Sequence, residues 1–398
     1  MPALGSEIAI IDIGSNAVRL VIFDAADIAP IKRHIERTMC GLGEDMVQTK
    51  RLSIEGAGEA IKVLKHFSDV IKSRHVQRVR AIATAAVRDA EDGPAFISRA
   101  KAETGIDITV LSGAEEARIS ALGVIAAMAG QDGLIGDFGG GSLELVLVKN
   151  GQAQDGVSLP IGSQRLLAIA DPKERKRVIR QHLRSVPALD KAAAIPFYAV
   201  GGAWRAFGKK HMEDTRHPVQ ILDQYAVRQS QAISFAEKII SGQENLAATS
   251  GDISIGAEVL IEIMKHAQSQ QVSFSASGLR EGLLVDMLSD EDRERSALVL
   301  SACKIAGFFG HMPDGLTQLE KAAYVLIPWA RKIKDPQALL HDVSHAPLVR
   351  ISHAERAFLT AVVMTACGHE LPRHPLFSLI GTSDLQRAAK TGQKLKKL

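Results

Sequence analysis

Residues 8–14 and 17–23 read as two apolar strands on either side of a small-residue turn, in the stretch IAIIDIGSNAVRLVIFD. The period then changes. Ile54, Ala57, Ala60, Ile61, Leu64, Phe67 and Ile71 recur at helical spacing and predict a helix over 53–73. VQRVRAIAT (76–84) and IDITVL (106–111) predict two more strands, each followed by a helix. The order strand, strand, helix, strand, helix belongs to an α/β domain with a parallel element in its sheet. The pattern restarts at Leu134. AIPFYAVGGAWRAFGK (194–209) and VSFSASGLREGLLVDML (272–288) each predict a buried strand, a turn and a helix. Beyond about Asp290 no strand pattern recurs. Residues 296–398 read as mainly helical, punctuated by Pro313, Pro328, Pro336, Pro347, Pro372 and Pro375, with a basic tail, KLKKL, expected to fray. The expected domains are 1–125, 126–290 and 291–398.

One segment occurs twice. GLIGDFGGGSLELVLV (133–148) matches the first hairpin without gaps, placing Asp137 on Asp12, Gly139 on Gly14, Gly140 on Ser15, Gly141 on Asn16 and Ser142 on Ala17. Small residues between two strands allow a tight turn whose N–H groups point at a ligand. An Asp at the end of the first strand sets a carboxylate beside that nest. Such an acid tolerates a phosphate if a divalent cation or water lies between them, or if the phosphate is protonated. Asp-Gly turns between strands are commonplace hairpins, but two register-matched copies, each opening an α/β half, suggest a duplicated domain clamping a phosphorylated ligand. No GxxxxGK[ST] occurs, and the strand-like LELVLV after GDFGGGS does not fit a dinucleotide fingerprint.

Composition narrows the class. With 398 residues, 46% of them hydrophobic, the chain can build two or three cores, and aromatics at only 4% suit close helix–sheet packing. A net charge of +3 is too small to mark a nucleic-acid binder. Cys40, Cys303 and Cys367 are odd in number, far apart and outside any CxxC, which predicts reduced thiols. MPALGSE carries no basic n-region, so no signal peptide is expected, and Ala357 to Cys367 is too short to span a bilayer. A cytoplasmic protein is expected, with no membrane partner and no specific nucleic acid.

Two acids stand out. In LSGAEEARIS, Ser112 and Glu115 form an S-x-x-E capping box, which leaves Glu116 free. Glu116 is either an exposed acid favourable to the helix dipole or a general base for an attacking water. Glu144 shares a strand face with Ser142 and reads as a salt-bridging acid or as a metal or water ligand. Arg88 could grip phosphate oxygens bidentately, or pair with Asp89 or Asp92. Lys173, Lys176, Arg177, Arg180 and Arg184 share one broad face of a helix in DPKERKRVIRQHLR (171–184). With Arg165 they form either a polyanion track or a solvated face.

Together IDIGSNAVRLVIFD, ATAAVRDA, LSGAEEARIS, GDFGGGSLELVLV, SLPIGSQRL, AVGGAWRAFG and SGLREGLL resemble, in order, the exopolyphosphatase/guanosine pentaphosphate phosphohydrolase (Ppx/GppA) family over roughly residues 7–290. The resemblance implies an α/β fold shared with actin, sugar kinases and heat-shock chaperone ATPases. Two RNase H-like domains would flank a cleft, followed here by a mainly helical, degenerate HD-like domain. It places Asp12, Gly14, Ser15 and Asn16 on the first phosphate turn, and Asp137, Gly139, Gly140, Gly141 and Ser142 on the second. It makes Arg88 a phosphate contact and Glu116 the catalytic glutamate. Asp137 and Glu144, with Asp12 a further candidate, would hold Mg²⁺ or another divalent cation such as Mn²⁺. Gly201, Gly202 and Arg205 match a GG-T-x-R-like segment in which Ala203 replaces Thr, and Leu143 replaces the Thr of GGGSTE. His341-Asp342, with His311 upstream, lacks the last Asp of a complete HD site. The implied reaction is hydrolysis of a terminal phosphoanhydride. The basic residues Arg165, Lys176 and Arg180 favour inorganic polyphosphate as substrate, with guanosine pentaphosphate or tetraphosphate second. An ATP-dependent kinase and a non-catalytic sensor of polyphosphate or alarmones are the more distant alternatives. A homodimer is compatible with the resemblance.

Overall fold

Ile8–Ile13 (β1) and Ala17–Phe23 (β2) are buried almost throughout and pair antiparallel around the turn at 14–16. Their apolar residues serve both faces of the first sheet, which is why the run is nearly continuous rather than alternating. The computed structural model describes residues 7–128, 132–190, 194–243, 250–308 and 310–397. The terminal residues 1–6, which hold most of MPALGSE, lie outside it. Lys32–Met39 (β3), Arg78–Ala83 (β4) and Ile108–Val110 (β5) complete the first sheet in the order β3-β2-β1-β4-β5, with β1, β4 and β5 parallel.

The second sheet repeats this plan. Gly133–Phe138 (β6) and Leu143–Lys149 (β7) form the equivalent hairpin. Gln152–Ala153 (β8) and Val157–Leu159 (β9) pair with β7. Phe197–Gly201 (β10) and Gln271–Phe274 (β12) run parallel to β6, and Tyr225–Arg228 (β11) is an antiparallel edge beside β12. Each sheet therefore carries the same central order, with the hairpin on one side and two parallel strands on the other. Gly201, with φ +111, ends β10 where a Cβ would meet the Phe138 carbonyl oxygen at 2.2 Å. The Gly-Gly turn is thus required by close strand approach.

Two helices cross between the sheets, each packing on the sheet it does not follow. Gly113–Ala127 comes after β5, yet Ala117, Ala121 and Val124 pack with Ile135, Val146 and Val148 of the second sheet. Leu279–Asp286 comes after β12, yet Leu283 and Leu284 pack with Ile8 and Ile10 of the first. Glycines set their contact. A Cβ on Gly282 would stand 1.8 Å from the Ile119 carbonyl oxygen, and one on Gly123 would stand 2.1 Å from that of Gly278. The exchange ties the halves together at the base of the cleft.

Beyond residue 290 the described residues are helical, around a core of their own that includes Leu326, Leu339, Val362 and Met364. This part touches both halves. Lys304 Nζ pairs with Asp24 and Asp27, each at 3.1 Å, while Arg350 Nε donates to the Met128 carbonyl at the end of the 113–127 helix at 2.6 Å. The tail differs from expectation. The last helix, Thr382–Leu395, takes in Lys394 and Leu395 of KLKKL, because Leu395 buries its side chain in the helical core.

Candidate active site

The duplicated turns have the same local construction. Gly14 N–H donates to the Ala17 carbonyl at 3.1 Å, and Gly139 N–H to that of Ser142 at 3.0 Å. They meet face to face. A Cβ on Gly141 would lie 2.7 Å from Ser15 Oγ, and one on Gly140 would lie 3.2 Å from Ser15 Cβ. Between them opens a cleft of about 510 Å³ whose lining includes Asp12, Gly14, Ser15, Asn16, Glu116, Asp137, Gly139, Gly140, Gly141, Ser142 and Glu144. The structure thus brings the two turns and all four acids to one place.

Glu116 reaches the cleft because Glu115 is occupied. Ser112 Oγ accepts from Glu115 N–H at 3.2 Å, and Glu115 Oε2 accepts from Ser112 N–H at 3.0 Å. Glu116, one residue on, is only 8% exposed. Arg88 Nη1 donates to its Oε2 at 2.8 Å and to the Leu111 carbonyl at 3.2 Å. Burial pushes the Glu116 carboxyl up to about 7 against the opposing pull of Arg88, with Asp137 and Asp12 adding to the rise. Glu144 lies directly opposite Asp137 across β6 and β7. Its Oε1 accepts from Ser158 Oγ at 2.6 Å, and Ser120 Oγ donates to Asp137. Burial raises both carboxyls, Glu144 well above its usual range with Glu116 and Asp137 adding to it. Asp12 Oδ2 accepts from Arg280 Nη1 at 3.1 Å.

Hard oxygen donors of this kind suit Mg²⁺ or Mn²⁺. Among the described residues no three metal-ligating side chains converge into a ready-made cage, in the cleft or in the helical part. Mg²⁺ commonly takes only one or two carboxylates and fills its remaining positions with water and substrate phosphate. Asp137 and Glu144 fit that requirement.

The basic residues fall differently. Lys176 and Arg180 lie outside the cleft lining and pair with Glu262 of the helix Ser250–His266, at 3.4 and 2.6 Å. Arg177 pairs with Glu174 at 2.6 Å, and Arg175 with Glu258 at 2.6 Å. The expected track is therefore largely met by the chain's own acids, which the basic face alone could not reveal. Arg165 pairs with Asp89, which also takes Arg88 Nε at 3.2 Å. Arg88 thus stands behind Glu116 rather than in the cleft lining. The arginines that do line the cleft are Arg19, Arg37, Arg205 and Arg280. Sequence reasoning passed over Arg19, although the duplication offered a signal: it occupies the position equivalent to Glu144, opposite Asp12 as Glu144 is opposite Asp137.

Comparison with known proteins accords with this geometry. Exopolyphosphatase 1 of Mycobacterium tuberculosis is 32% identical over 175 residues, covering 42% of this chain and 51% of the relative. Exopolyphosphatase 1 of Mycobacterium leprae is 30% identical over 175 residues, covering 42% and 52%. The chain spans about half the length of the curated relatives it matches. Among solved structures, an exopolyphosphatase from Cytophaga hutchinsonii superposes with a TM-score of 0.63 at 23% identity, over 71% of this chain and 99% of that one. The Ppx/GppA family member of Aquifex aeolicus does so with a TM-score of 0.60 at 24% identity, over 73% and 99%. These likenesses show a shared fold. A model of the Ppx/GppA phosphatase family matches residues 21–291, and the chain belongs to that family.

Proposed function

We propose that the protein is an exopolyphosphatase that releases terminal orthophosphate from inorganic polyphosphate, with Glu116 as general base. One observation carries this reading: a buried carboxyl held near neutral pH, in a cleft between two matched anion turns. The N–H groups of the turns 14–16 and 139–142 receive the terminal phosphate. Glu116 Oε2 is fixed by Arg88, which leaves Oε1 to take the proton of an attacking water. Arg280 and Arg205 line the same cleft and would stabilise the charge that develops on the bridging oxygen as it leaves. A divalent cation at Asp137 and Glu144 would supply charge neutralisation between phosphate oxygens and the acids. The low dielectric of the cleft strengthens each of these interactions.

The test is parallel phosphate release from long-chain polyphosphate, guanosine pentaphosphate and ATP with Mg²⁺, using Glu116→Gln as control. Release from polyphosphate should dominate and fall ~10²–10⁴-fold in the variant. Faster release from guanosine pentaphosphate would move the preferred substrate to the alarmone. Tight polyphosphate binding without turnover would make the protein a sensor.

A further inference from the structure

The helix 172–184 has acids for most of its cations, but among the described residues two arginines of the cleft lining, Arg19 and Arg37, have no hydrogen-bond or ion-pair partner. Strand register shows how they are arranged. Asp12 on β1 stands directly opposite Arg19 on β2, and Arg19 directly opposite Arg37 on β3. Side chains opposite one another in a sheet project from the same face. All three line the cleft. They form a single rung that starts at the first phosphate turn and ends at the outer edge of the sheet, since β3 is an edge strand. Two strand spacings make that distance roughly 10 Å.

Two guanidiniums directly opposite each other repel. Among the described residues, neither Arg19 nor Arg37 has a hydrogen-bond or ion-pair partner, while the charge of Asp12 is already met by Arg280. Burial lowers the Arg19 guanidinium to about 10 against the opposing pull of Asp12, and Arg280, Arg205 and Arg37 add to the fall. Such a pair is relieved when an anion lies between its members. Arg37 is exposed on the edge strand, so the outer end of this rung opens to solvent.

We infer that the rung Asp12–Arg19–Arg37 is a subsite for the later phosphates of a linear polyphosphate, which leaves the cleft over the edge strand β3, and that Arg37 sets the preference for long chains. The inference rests on the polyphosphatase reading of the cleft. A short chain anchored at the turns ends before the edge, whereas a long one continues across it. Arg37 therefore contributes to long substrates only.

The experiment uses the full chain with Mg²⁺. Steady-state phosphate release is measured on long-chain polyphosphate and on tripolyphosphate for the wild type, Arg37→Gln, Arg37→Lys and Lys176→Ala/Arg180→Ala. Equilibrium binding of long-chain polyphosphate is measured on the same proteins. Loss of a charge-assisted contact should raise the long-chain KM and Kd of Arg37→Gln about tenfold. Its kcat and its tripolyphosphate KM should stay unchanged, and Arg37→Lys should recover most of the loss. An unchanged long-chain Kd in Arg37→Gln, or equal losses on both substrates, overturns the subsite. So does a loss confined to the Lys176→Ala/Arg180→Ala variant. If the wild type releases no phosphate from either substrate, the proposed activity fails, and the Kd comparison still decides the subsite.

Discussion

Glu116 and Arg88 share a hydrogen bond that works against burial. The base must be ionised to accept a proton, so kcat/KM should rise with pH through about 7, the value to which burial lifts this carboxyl. Arg88 holds it lower than burial alone would. Arg88→Met should therefore move the acid limb of the pH–rate profile to higher pH, besides lowering the rate. A limb that stays in place or moves down would show that the two groups are not coupled as their 2.8 Å contact requires. The acids of the second hairpin make a separate prediction. Burial raises the proton affinity of both Glu144 and Asp137, Asp137 adds to the rise at Glu144, and a cation held by these acids would relieve that cost. Mg²⁺ should accordingly raise Tm in the wild type and raise it less in Glu144→Gln, as read by calorimetry. The placement of Glu116 in the cleft was legible in the sequence because the capping box accounted for its neighbour. Arg37 was not, since its importance lies in facing Arg19 across two strands, and register is not written locally.

Elements differ in legibility for the same reason. The two hairpins are long, apolar and repeated, and so they stand out. β3 alternates charged residues with Ile35 and Met39, whose side chains remain exposed, and it reads as polar chain until β2 supplies its partner. β8, β9 and β11 span two to four residues, too few for any period to register. The crossing of the 113–127 and 279–286 helices was hidden more deeply. Each follows one sheet in sequence and packs on the other, so chain order misassigns its partner. Gly282 is the point of closest approach. Gly282→Ala would drive a Cβ into the Ile119 carbonyl, and the helices could separate only by disturbing both sheets. A loss of roughly 1–3 kcal/mol in unfolding free energy is expected from such overpacking. Gly105→Ala, with open space around it but φ +73, would report left-handed backbone strain alone and makes the comparison informative. Urea denaturation of the two variants would separate helix crowding from backbone cost, and equal, small losses would remove the crossing from its structural role.

At the scale of the molecule, the helical part is joined to the second half partly through a pair of imidazoles. His217 Nε2 and His353 Nδ1 are 2.8 Å apart, so one ring must accept while the other donates. Tyr225 stacks on His353, and Arg356 adds a positive charge nearby. Burial, reinforced by His217 and Arg356, lowers the His353 imidazole to about 4. A folded-state pKa below the unfolded value means that the contact stabilises above about pH 6.5 and loses that contribution as pH falls towards 4. The whole shift is worth on the order of 3 kcal/mol at most. The cleft acids have the opposite sign. Glu116 binds its proton more tightly when folded, so acidification between about 4.5 and 7 stabilises its surroundings. A global melting curve sums the two effects and conceals both. Hydrogen exchange in the helix His353–Ala366 isolates the first. Protection there should fall between pH 6.5 and 4 in the wild type and fall less in His353→Phe, compared at matched pH. Equal pH dependence in the two proteins would place the acid sensitivity elsewhere. Unchanged protection in both would mean that the imidazole pair does not help hold the helical part to the second half.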